Sequence, residues 1–519
     1  MLAKVFSAAI VGIDAILVDV EIDVFMGVPG VSIVGLADTA VQESKERVKS
    51  GISNSEYEFP LRRIVINLAP ADIKKEGPVY DLPIAMGILA ATEQIPGDKL
   101  QNYIIAGELS LSGEIRRING ALLMAICAKK HGMRGIIVPK VNAPEASVVD
   151  GIDILPVDNL NQLVDFFRDK ADIWPEPRKI TLPDSGTANL DFSDVRGQEL
   201  AKRALEVAAA GGHNILLIGP PGSGKTMLAS RLPSILPRLT LDESIEVTKV
   251  YSVAGILKPN ESLVSKRPFR EPHHTISHAG LIGGGSYPRP GEVSLAHNGV
   301  LFLDEFPEFS KSVLQVLRQP LEEGKVTISR AAGSLTYPAR FMLVGSMNPC
   351  PCGHLGDRVK QCICTPYSVQ RYRGRISGPL LDRIDIHIEV PRLTKDELLK
   401  CEEGEPSSRI KERVDMARSL QIKRFTAANG PNSKNGHGGQ LILTNAQMKA
   451  REVKNFCRLT PQASSFLEAS IDKLGLSGRA YERILKVART IADLAQKDLI
   501  DVENIAEAVQ YRTLDRQYF

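Results

Sequence analysis

A chain of 519 residues is too long for a single hydrophobic core, so we expect about three domains. An apolar content of 43% and a charged content of 24% are those of an ordinary globular protein and exclude a chain that is disordered throughout. The formal net charge of +3 neither requires nor excludes a polyanionic partner, so an argument for nucleic-acid binding must rest on where the charges lie.

The amino terminus and the cysteines bear on localisation. The first apolar stretch is soon interrupted by Asp14, Asp19 and Glu21, which makes it a poor secretory signal. No apolar run approaches the roughly 20 residues that a membrane-spanning helix needs. Seven cysteines in so long a chain do not indicate a disulfide scaffold. We therefore expect a cytoplasmic protein without a membrane segment.

The first domain, residues 1–168, mixes strand and helix patterns. Apolar residues from 18 to 24 alternate with acidic ones, which is the period of a half-buried strand. Asp38 is placed to cap a helix, and Gly51 is placed to end it. A further apolar run at 64–68 predicts another strand. The pattern indicates an α+β domain.

The rest of the chain divides into a linker and two further domains. Residues 169–190 contain two Pro-rich breaks and little apolar periodicity, which is typical of a linker. In 191–394, apolar strands alternate with helices in the βα manner of a nucleotide-binding sheet. Residues 395–519 are mainly helical, with a Gly/Asn-rich loop at about 428–440.

A phosphate-binding loop follows the apolar strand 215–218. The segment Gly219-Pro-Pro-Gly222-Ser-Gly224-Lys225-Thr226 matches G-x-x-x-x-G-K-[ST], in which backbone N–H groups cradle phosphates. Lys225 is expected to reach the β and γ phosphates, and Thr226 to bind Mg²⁺. A chance match is the alternative, which the preceding strand and following helix disfavour. The ATP-binding residues expected from this loop and the start of the following helix are Gly219, Pro220, Pro221, Gly222, Ser223, Gly224, Lys225, Thr226 and Met227.

Two further strands end in polar residues. The apolar run 299–303 ends in Asp304 and Glu305, which we expect to hold Mg²⁺ and to polarise the attacking water, respectively. Adjacent acids closing a buried strand cost desolvation, so a purely structural role is disfavoured, with a helix cap at Asp304 as the alternative. The run 341–345 leads to Asn348, which suits a sensor that orients the lytic water.

The order of these pieces, with the segment 192–198 before them, resembles that of the AAA+ ATPases, and the resemblance adds Val195 and Gly197 to the expected ATP-binding residues. On that resemblance, Arg383 is the arginine finger that reaches the γ-phosphate of a neighbouring subunit, and Arg479 is a second sensor on a helical lid. Either arginine alone could equally be a surface or helix-capping residue. A finger acting in trans implies a ring, usually a homo-hexamer.

Two inserted segments narrow the resemblance. The segment 270–285 and a hairpin-like stretch that begins at Lys325 resemble the branch shared by magnesium chelatase ATPases and MCM helicases, where such loops line a central pore. Lys325 and Arg330 are therefore candidate DNA contacts, although any exposed hairpin can carry two cations. His273 and His274 are adjacent and expected to point apart, so we favour loop roles over a metal site.

Four cysteines form two C-x-C pairs within the insertion 350–364: Cys350, Cys352, Cys362 and Cys364. Four thiolates in a short loop suit tetrahedral Zn²⁺, while a labile disulfide pair or free thiols are the alternatives, and His354 could replace one thiolate. Basic residues interleaved with a tyrosine follow, namely Arg371, Tyr372, Arg373 and Arg375. This composition suits contact with a nucleic-acid backbone, with a solvated charge run as the alternative.

The first domain also resembles the proteolytic domain of Lon, through residues 75–79 and 107–115. Lon-type peptidases use a serine that a lysine activates. Those positions fall on Val79 and Leu122, and neither side chain can perform acid–base chemistry. We therefore expect a scaffold or DNA-binding ring rather than a peptidase.

With the run N-P-C-P-C-G-H-L-G-D at 348–357, the whole chain resembles the ComM/YifB family of magnesium-chelatase-like proteins. The resemblance implies an α/β AAA+ core with a parallel sheet and a helical lid, preceded by a Lon-like α+β domain. It implies a ring that uses ATP and Mg²⁺ to act as a helicase or translocase on branched or single-stranded DNA. Branch migration in recombination or natural transformation is the implied process. A protein-remodelling ATPase and a nucleotide-binding adaptor are the alternatives.

Overall fold

The computed structural model of the protein describes residues 2–178, 190–285, 288–330, 333–357, 359–393, 404–429, 442–474 and 477–512. Half of the predicted linker and most of the predicted Gly/Asn-rich loop lie outside the described residues. Within the described ranges, no helix is long and apolar enough to cross a membrane.

The amino-terminal part is a seven-stranded sheet with helices packed on it. Its elements are β1 (Leu2–Val11), β2 (Asp14–Phe25), β3 (Gly30–Val34), α1 (Thr39–Asn54), β4 (Arg63–Ala69), α2 (Asp81–Ala91), β5 (Tyr103–Ile105), β6 (Glu108–Leu109), β7 (Ile115–Arg116), α3 (Ala121–Lys130), β8 (Gly135–Pro139), α4 (Ala143–Ala146), β9 (Asp153–Val157) and α5 (Leu160–Phe167). The sheet order is β3-β4-β2-β1-β5-β8-β9. The alternation predicted for 18–24 is confirmed, because its apolar side chains are buried within β2.

Helix α1 begins as predicted but ends elsewhere. The Asp38 carboxylate accepts a hydrogen bond from the Val41 N–H at 2.8 Å. The prediction that Gly51 ends the helix is wrong, because α1 continues to Asn54. A Cβ at Gly51 would lie 2.5 Å from Leu109 Cδ2. Glycine is therefore required there for close packing rather than for termination.

The second part contains a five-stranded sheet. Its elements are α6 (Glu199–Gly211), β10 (Ile215–Ile218), α7 (Lys225–Ile235), α8 (Leu241–Ala254), β11 (Phe269–Arg270), α9 (His278–Ile282), β12 (Gly283–Gly284), β13 (Arg289–Pro290), α10 (Glu292–Leu295), β14 (Val300–Leu303), α11 (Lys311–Val316), α12 (Arg318–Glu323), β15 (Lys325–Arg330), β16 (Gly333–Pro338), β17 (Met342–Met347), α13 (Pro366–Arg373), α14 (Gly378–Leu381) and β18 (Ile386–Glu389). The order β11-β14-β17-β10-β18 is parallel throughout, which confirms the predicted parallel α/β core.

The predicted hairpin is present and packs on neighbouring segments. Strands β15 and β16 pair antiparallel, with Lys325 opposite Pro338. Ile328 of the hairpin packs against Gly283, where an added Cβ would meet its Cδ1 at 2.8 Å. The two inserted segments therefore pack against each other. The turn between β1 and β2 touches the same hairpin, since a Cβ at Gly12 would lie 3.9 Å from Leu335.

Contacts between α3–α4 and α8 join the first domain to the second. Leu122 is fully buried in a cluster with Val148 and Leu263. The Glu145 carboxylate accepts hydrogen bonds from the Leu122 N–H at 2.9 Å and from the Ser252 hydroxyl. Leu122 thus contributes to the contact between the two sheet-containing parts of the chain, while Val79 is buried in a short 3₁₀ turn ahead of α2.

The carboxyl-terminal helices are α15 (Ser407–Asn429), α16 (Ala450–Phe456), α17 (Pro461–Leu474), α18 (Gly478–Leu494) and α19 (Val502–Gln510). A buried polar network joins α18 to the sheet. Asp385, just before β18, pairs with Arg483, and His213 lies 2.8 Å from the Thr490 hydroxyl. Although burial alone would raise the pKa of Asp385, the Arg483 charge and His213 hold it well below its usual range.

A second charged cluster anchors α8. Glu246 accepts hydrogen bonds from His297 Nε2 at 3.1 Å, Asn298 Nδ2 at 3.1 Å and Arg340 Nη2 at 2.7 Å. Burial alone would raise the pKa of Glu246, but the His297 hydrogen bond and the Arg340 charge lower it from 4.5 to about 2. Because the folded-state pKa is depressed, this stabilisation is complete above pH 4.5 and is lost as the pH falls toward 2.

We expect Glu246→Gln to lower the free energy of unfolding by about 1 kcal/mol at pH 7, a value discounted for the partial exposure of the side chain. The difference from the wild type should shrink as the pH falls below 4.5. Urea unfolding at pH 7 and near the acid limit of the folded protein measures both effects. Glu46→Gln, at an exposed position in the interior of α1, is the control. A pH-independent difference would contradict the assignment.

Candidate functional site

Three neighbouring parallel strands carry the predicted site residues to one edge of the sheet. Strand β10 ends at Ile218 before the phosphate loop, β14 ends at Leu303 before Asp304, and β17 ends at Met347 before Asn348. Strand β17 lies between the other two, so Asn348 stands between the loop and the acid. The carboxyl edge of a parallel sheet is the usual place for a ligand in α/β proteins.

The loop itself has the backbone shape of an anion site. Gly222 and Gly224 adopt positive φ values of 77° and 91°, which side chains disfavour, and α7 begins at the next residue. A Cβ at Gly219 would lie 2.2 Å from the Val390 carbonyl oxygen, so no other residue fits there. Turned glycines before a helix amino terminus are the arrangement that binds phosphate groups.

Lys225 is buried beneath this loop. Its Nζ donates to the carbonyl oxygens of Gly219 at 2.7 Å and Pro220 at 3.0 Å, and to Asn348 Oδ1 at 3.2 Å. Burial lowers the pKa of Lys225 from 10.5 to about 8, although the negative charges of Asp304 and Glu305 oppose the shift. In the described part of the chain, no carboxylate contacts this ammonium. A bound phosphate would supply the missing counter-charge.

Asp304 and Thr226 lie together as two ligands of one cation would. The Thr226 hydroxyl donates to Asp304 Oδ2 at 2.8 Å. The other oxygen, Oδ1, accepts from the Ser346 hydroxyl at 2.5 Å and from the Glu305 N–H at 2.9 Å. Asp304 does not cap a helix, since Glu305 occupies the cap of the following turn. The sequence analysis did not include Ser346 in the site. Its polar side chain within an otherwise apolar strand could have indicated it.

Glu305 is exposed and adopts a positive φ of 51°, an uncommon conformation for a residue with a side chain. Its carboxylate lies 3.4 Å from His274 Nδ1. The expectation that His273 and His274 point apart is wrong, because their rings lie 4.1 Å apart at an angle of 33°. His274 is therefore a site neighbour that the sequence pattern did not indicate.

The segment before α6 lies against the phosphate loop. Gln198 donates to the carbonyl oxygens of Pro391 at 2.6 Å and Ser223 at 3.3 Å. Val195 is buried, and Gly197 adopts a positive φ of 60°. These contacts bring the two predicted residues beside the loop. Met227, on the first turn of α7, is partly exposed.

Arg383 lies at the opposite edge of the sheet from the loop. The Arg383 carbonyl accepts from Asn214 Nδ2 at 2.8 Å, and Asn214 directly precedes β10, whereas the loop follows it. A strand of this length separates the two edges by about 16 Å. The Arg383 guanidinium pairs with Glu322 instead. The structure therefore does not bring Arg383 to its own phosphate loop.

Arg479 lies beside Arg383. Its guanidinium is 3.9 Å from Asp382 and is largely exposed. Burial lowers the pKa of Arg383, and the positive charges of Arg479, Arg483 and Arg318 lower it further. The two predicted arginines are thus brought together in one cationic cluster, apart from the loop.

The predicted DNA contacts divide into two groups. Four of these residues are exposed, namely Lys325, Arg330, Arg371 and Arg375, and the two groups differ in their contacts rather than in exposure. Arg373 donates to the Pro349 carbonyl at 3.1 Å, and Arg375 pairs with Glu308 at 2.6 Å. The second group therefore also has contacts within the chain.

The four cysteines of the insertion 350–364 converge, with all four Sγ atoms within 4.8 Å of one another. Cys350 Sγ lies 3.4 Å from Cys352 Sγ and 3.6 Å from Cys362 Sγ. These separations far exceed a disulfide bond of about 2.05 Å and approach the edge of a ZnS₄ tetrahedron, about 3.8 Å for Zn–S bonds of about 2.3 Å. His354 contacts Asp357 at 3.1 Å and is not part of the cluster.

Comparisons with known proteins cover nearly the whole chain. Residues 191–398 match the family described as magnesium chelatase, subunit ChlI, residues 20–142 match subunit ChlI of Mg-chelatase, and residues 404–512 match the ChlI C-terminal family. These matches follow one another along the chain without overlap. They correspond to the first sheet, the second sheet and the carboxyl-terminal helices.

Similar full-length proteins include YifB of Escherichia coli K12, 45% identical over 516 residues, which are 99% of this chain and 98% of that protein. The competence protein ComM of Haemophilus influenzae is 44% identical over 519 residues, 99% of this chain and 98% of that protein. The magnesium-chelatase 67 kDa subunit of Chlorobaculum parvum is 29% identical over 164 residues, 30% of this chain and 23% of that protein. The chain therefore belongs to the ComM/YifB family of magnesium-chelatase-like AAA+ ATPases.

Proposed function

We propose that this chain hydrolyses ATP in a homo-hexameric ring and uses the energy to move along or unwind DNA during recombination or natural transformation. The observation that carries the proposal is the division of the site across the sheet. Lys225, Thr226, Asp304 and Asn348 converge at one edge, while Arg383 lies at the other. Each chain would therefore contribute the Lys225 half of one ATP site and the Arg383 half of a second ATP site.

The roles follow from the contacts. Lys225 binds the β and γ phosphates, and the Thr226 hydroxyl and Asp304 hold Mg²⁺, which when bound neutralises phosphate charge. Asn348, held by Lys225, orients the attacking water. Glu305 accepts the proton of that water as it attacks the γ-phosphorus, with His274 beside its carboxylate.

The arginines complete the site of a neighbouring subunit. Arg383 is too far from its own loop to reach the γ-phosphate, so it acts in trans. Arg479 lies in the same cationic cluster and serves the same neighbouring phosphate. A head-to-tail contact that closes gives a ring.

DNA is the proposed substrate of the motor because exposed cations lie on the inserted hairpin and a full-length relative is a competence protein. Lys325 and Arg330 would contact the phosphate backbone. Remodelling of a protein partner is the second candidate, and the partial match to a magnesium-chelatase subunit favours it. The response of ATP turnover to DNA separates the two.

Zn²⁺ is the proposed occupant of the cysteine cluster. We expect about one equivalent of zinc per chain by elemental analysis of protein purified without chelator. Cys362→Ser and Cys364→Ser should each lower that content at least severalfold, because three thiolates bind zinc more weakly than four. Cys127→Ala, at a buried position in α3, should leave it unchanged. A wild-type content below about half an equivalent would contradict the assignment.

We expect Lys225→Ala, Glu305→Gln and Arg383→Ala each to lower ATP turnover by about 100-fold or more. Mixing Glu305→Gln with Arg383→Ala subunits should restore up to about a quarter of the wild-type rate, because random rings then contain sites with both halves intact. Mixing Glu305→Gln with Lys225→Ala is the control. Both defects lie on the same half-site, so no complete site forms.

The mixing experiment also has a clear negative outcome. If differently tagged subunits copurify in mixed rings and turnover still fails to recover, Arg383 does not act in trans. If the single variants keep the wild-type rate, the assignment of the hydrolytic residues is wrong.

We expect forked or four-way DNA to stimulate ATP turnover, and the double substitution Lys325→Ala, Arg330→Ala to reduce that stimulation by about 10-fold without changing the basal rate. The stimulation should weaken as salt rises, since backbone contacts release counterions. Lys473→Ala, at an exposed position on α17, is the control. Turnover that ignores DNA in the wild type would favour the protein-remodelling alternative.

A further inference from the structure

The cysteine loop rests on the phosphate loop. Gly353, between the two cysteine pairs, has a positive φ of 82°. A Cβ added at Gly353 would lie 2.6 Å from Pro221 Cδ and 3.9 Å from Asn348 Cγ. The cysteine loop therefore touches both a residue of the phosphate loop and the residue that contacts Lys225.

Both ends of the cysteine loop lie close to the backbone at 348–350. Cys350 is fully buried two residues after Asn348. Beyond the other end, Arg373 of α13 donates to the Pro349 carbonyl at 3.1 Å. The backbone at 348–350 is thus held between the loop and α13.

Apart from the thiols, the described residues of the loop are joined by short-range contacts such as that of His354 with Asp357 at 3.1 Å. Among its described residues there is no helix or strand, and Ile363 is 87% exposed, so no apolar core forms. Its internal contacts centre on the thiols, with the N–H groups of Cys352 and Cys364 directed at neighbouring Sγ atoms at 3.4 Å. Such N–H groups are typical outer partners of metal-bound thiolates.

We propose that the metal-bound cysteine loop, residues 350–364, is a clip that positions Asn348 and Pro221 for hydrolysis. The rate of ATP turnover then depends on a zinc ion bound by the four thiolates. This inference rests on the proposed ATPase function. It assigns Gly353 as a positioning residue, because only glycine allows the loop to approach Pro221. A loosened clip would displace Asn348, and small displacements of a group near the reacting atoms cost rate more than binding.

Two glycine substitutions test the contact with the metal left in place. Gly353 and Gly356 both have positive φ, at 82° and 78°, so alanine strains each backbone similarly. A Cβ at Gly356 meets nothing within 4 Å. We expect Gly353→Ala to lower kcat by about 10-fold with KM for ATP changed less than about threefold. Gly356→Ala should match the wild type, and both variants should keep full zinc content.

Metal removal supplies the second test. Chelation of the intact wild-type protein, followed by assay in excess Mg²⁺, should lower kcat, and added Zn²⁺ should restore it. Co²⁺ should also restore turnover and give the absorption bands of tetrahedral thiolate coordination. The clip is refuted if folded, zinc-free protein turns over ATP at the wild-type rate, or if Gly353→Ala equals Gly356→Ala. If the wild type never hydrolyses ATP, the proposed function fails first and the clip with it.

Discussion

The buried ammonium of Lys225 is the constraint around which the second domain is arranged. It is held by two carbonyl oxygens and one amide oxygen, all neutral, and burial lowers its pKa to about 8. A buried cation without a carboxylate in contact is costly, so it depends on these hydrogen bonds and on the packing of the surrounding strands. Ile215–Ile218 is buried at every position and provides that support. The arrival of an anion would relieve the cost.

The acidic side of the site is organised by a single carboxylate. Asp304 receives hydrogen bonds from Thr226, Ser346 and the Glu305 backbone, which fix its orientation. Because β17 separates β14 from β10, the amide of Asn348 occupies the gap between cation and acid. The order of the strands β10, β17 and β14 therefore fixes the order in which the phosphate loop, Asn348 and Asp304 lie along this edge of the sheet. The sheet also separates this half-site from Arg383.

Local patterns predicted much of this architecture. Strand alternation, the glycine–lysine loop and polar residues at strand ends depend on neighbours in sequence, and the structure bears out the elements they indicated. Parallel pairing then brings Lys225, Asp304 and Asn348 together. The roles of these residues stay predictions until turnover is measured.

What the sequence did not reveal depends on contacts between distant segments. Gly51 looked like a helix end, but its need for glycine comes from Leu109, 58 residues away. Likewise, no local pattern indicates that Gly353 meets Pro221. Side-chain stacking of His273 on His274 required a backbone bend that neither helix nor strand periodicity describes.

The ion pair between Asp385 and Arg483 limits how the carboxyl-terminal helices can move. Separating the two would leave the buried Asp385 carboxylate to its hydrogen bonds with His213 and the Asn214 N–H, and breaking a buried ion pair costs on the order of 3–5 kcal/mol. Arg479 lies one helical turn before Arg483 on α18, so the same ion pair also restrains the position of Arg479. The ion pair therefore favours movement of α18 together with the part of the sheet that carries Asp385.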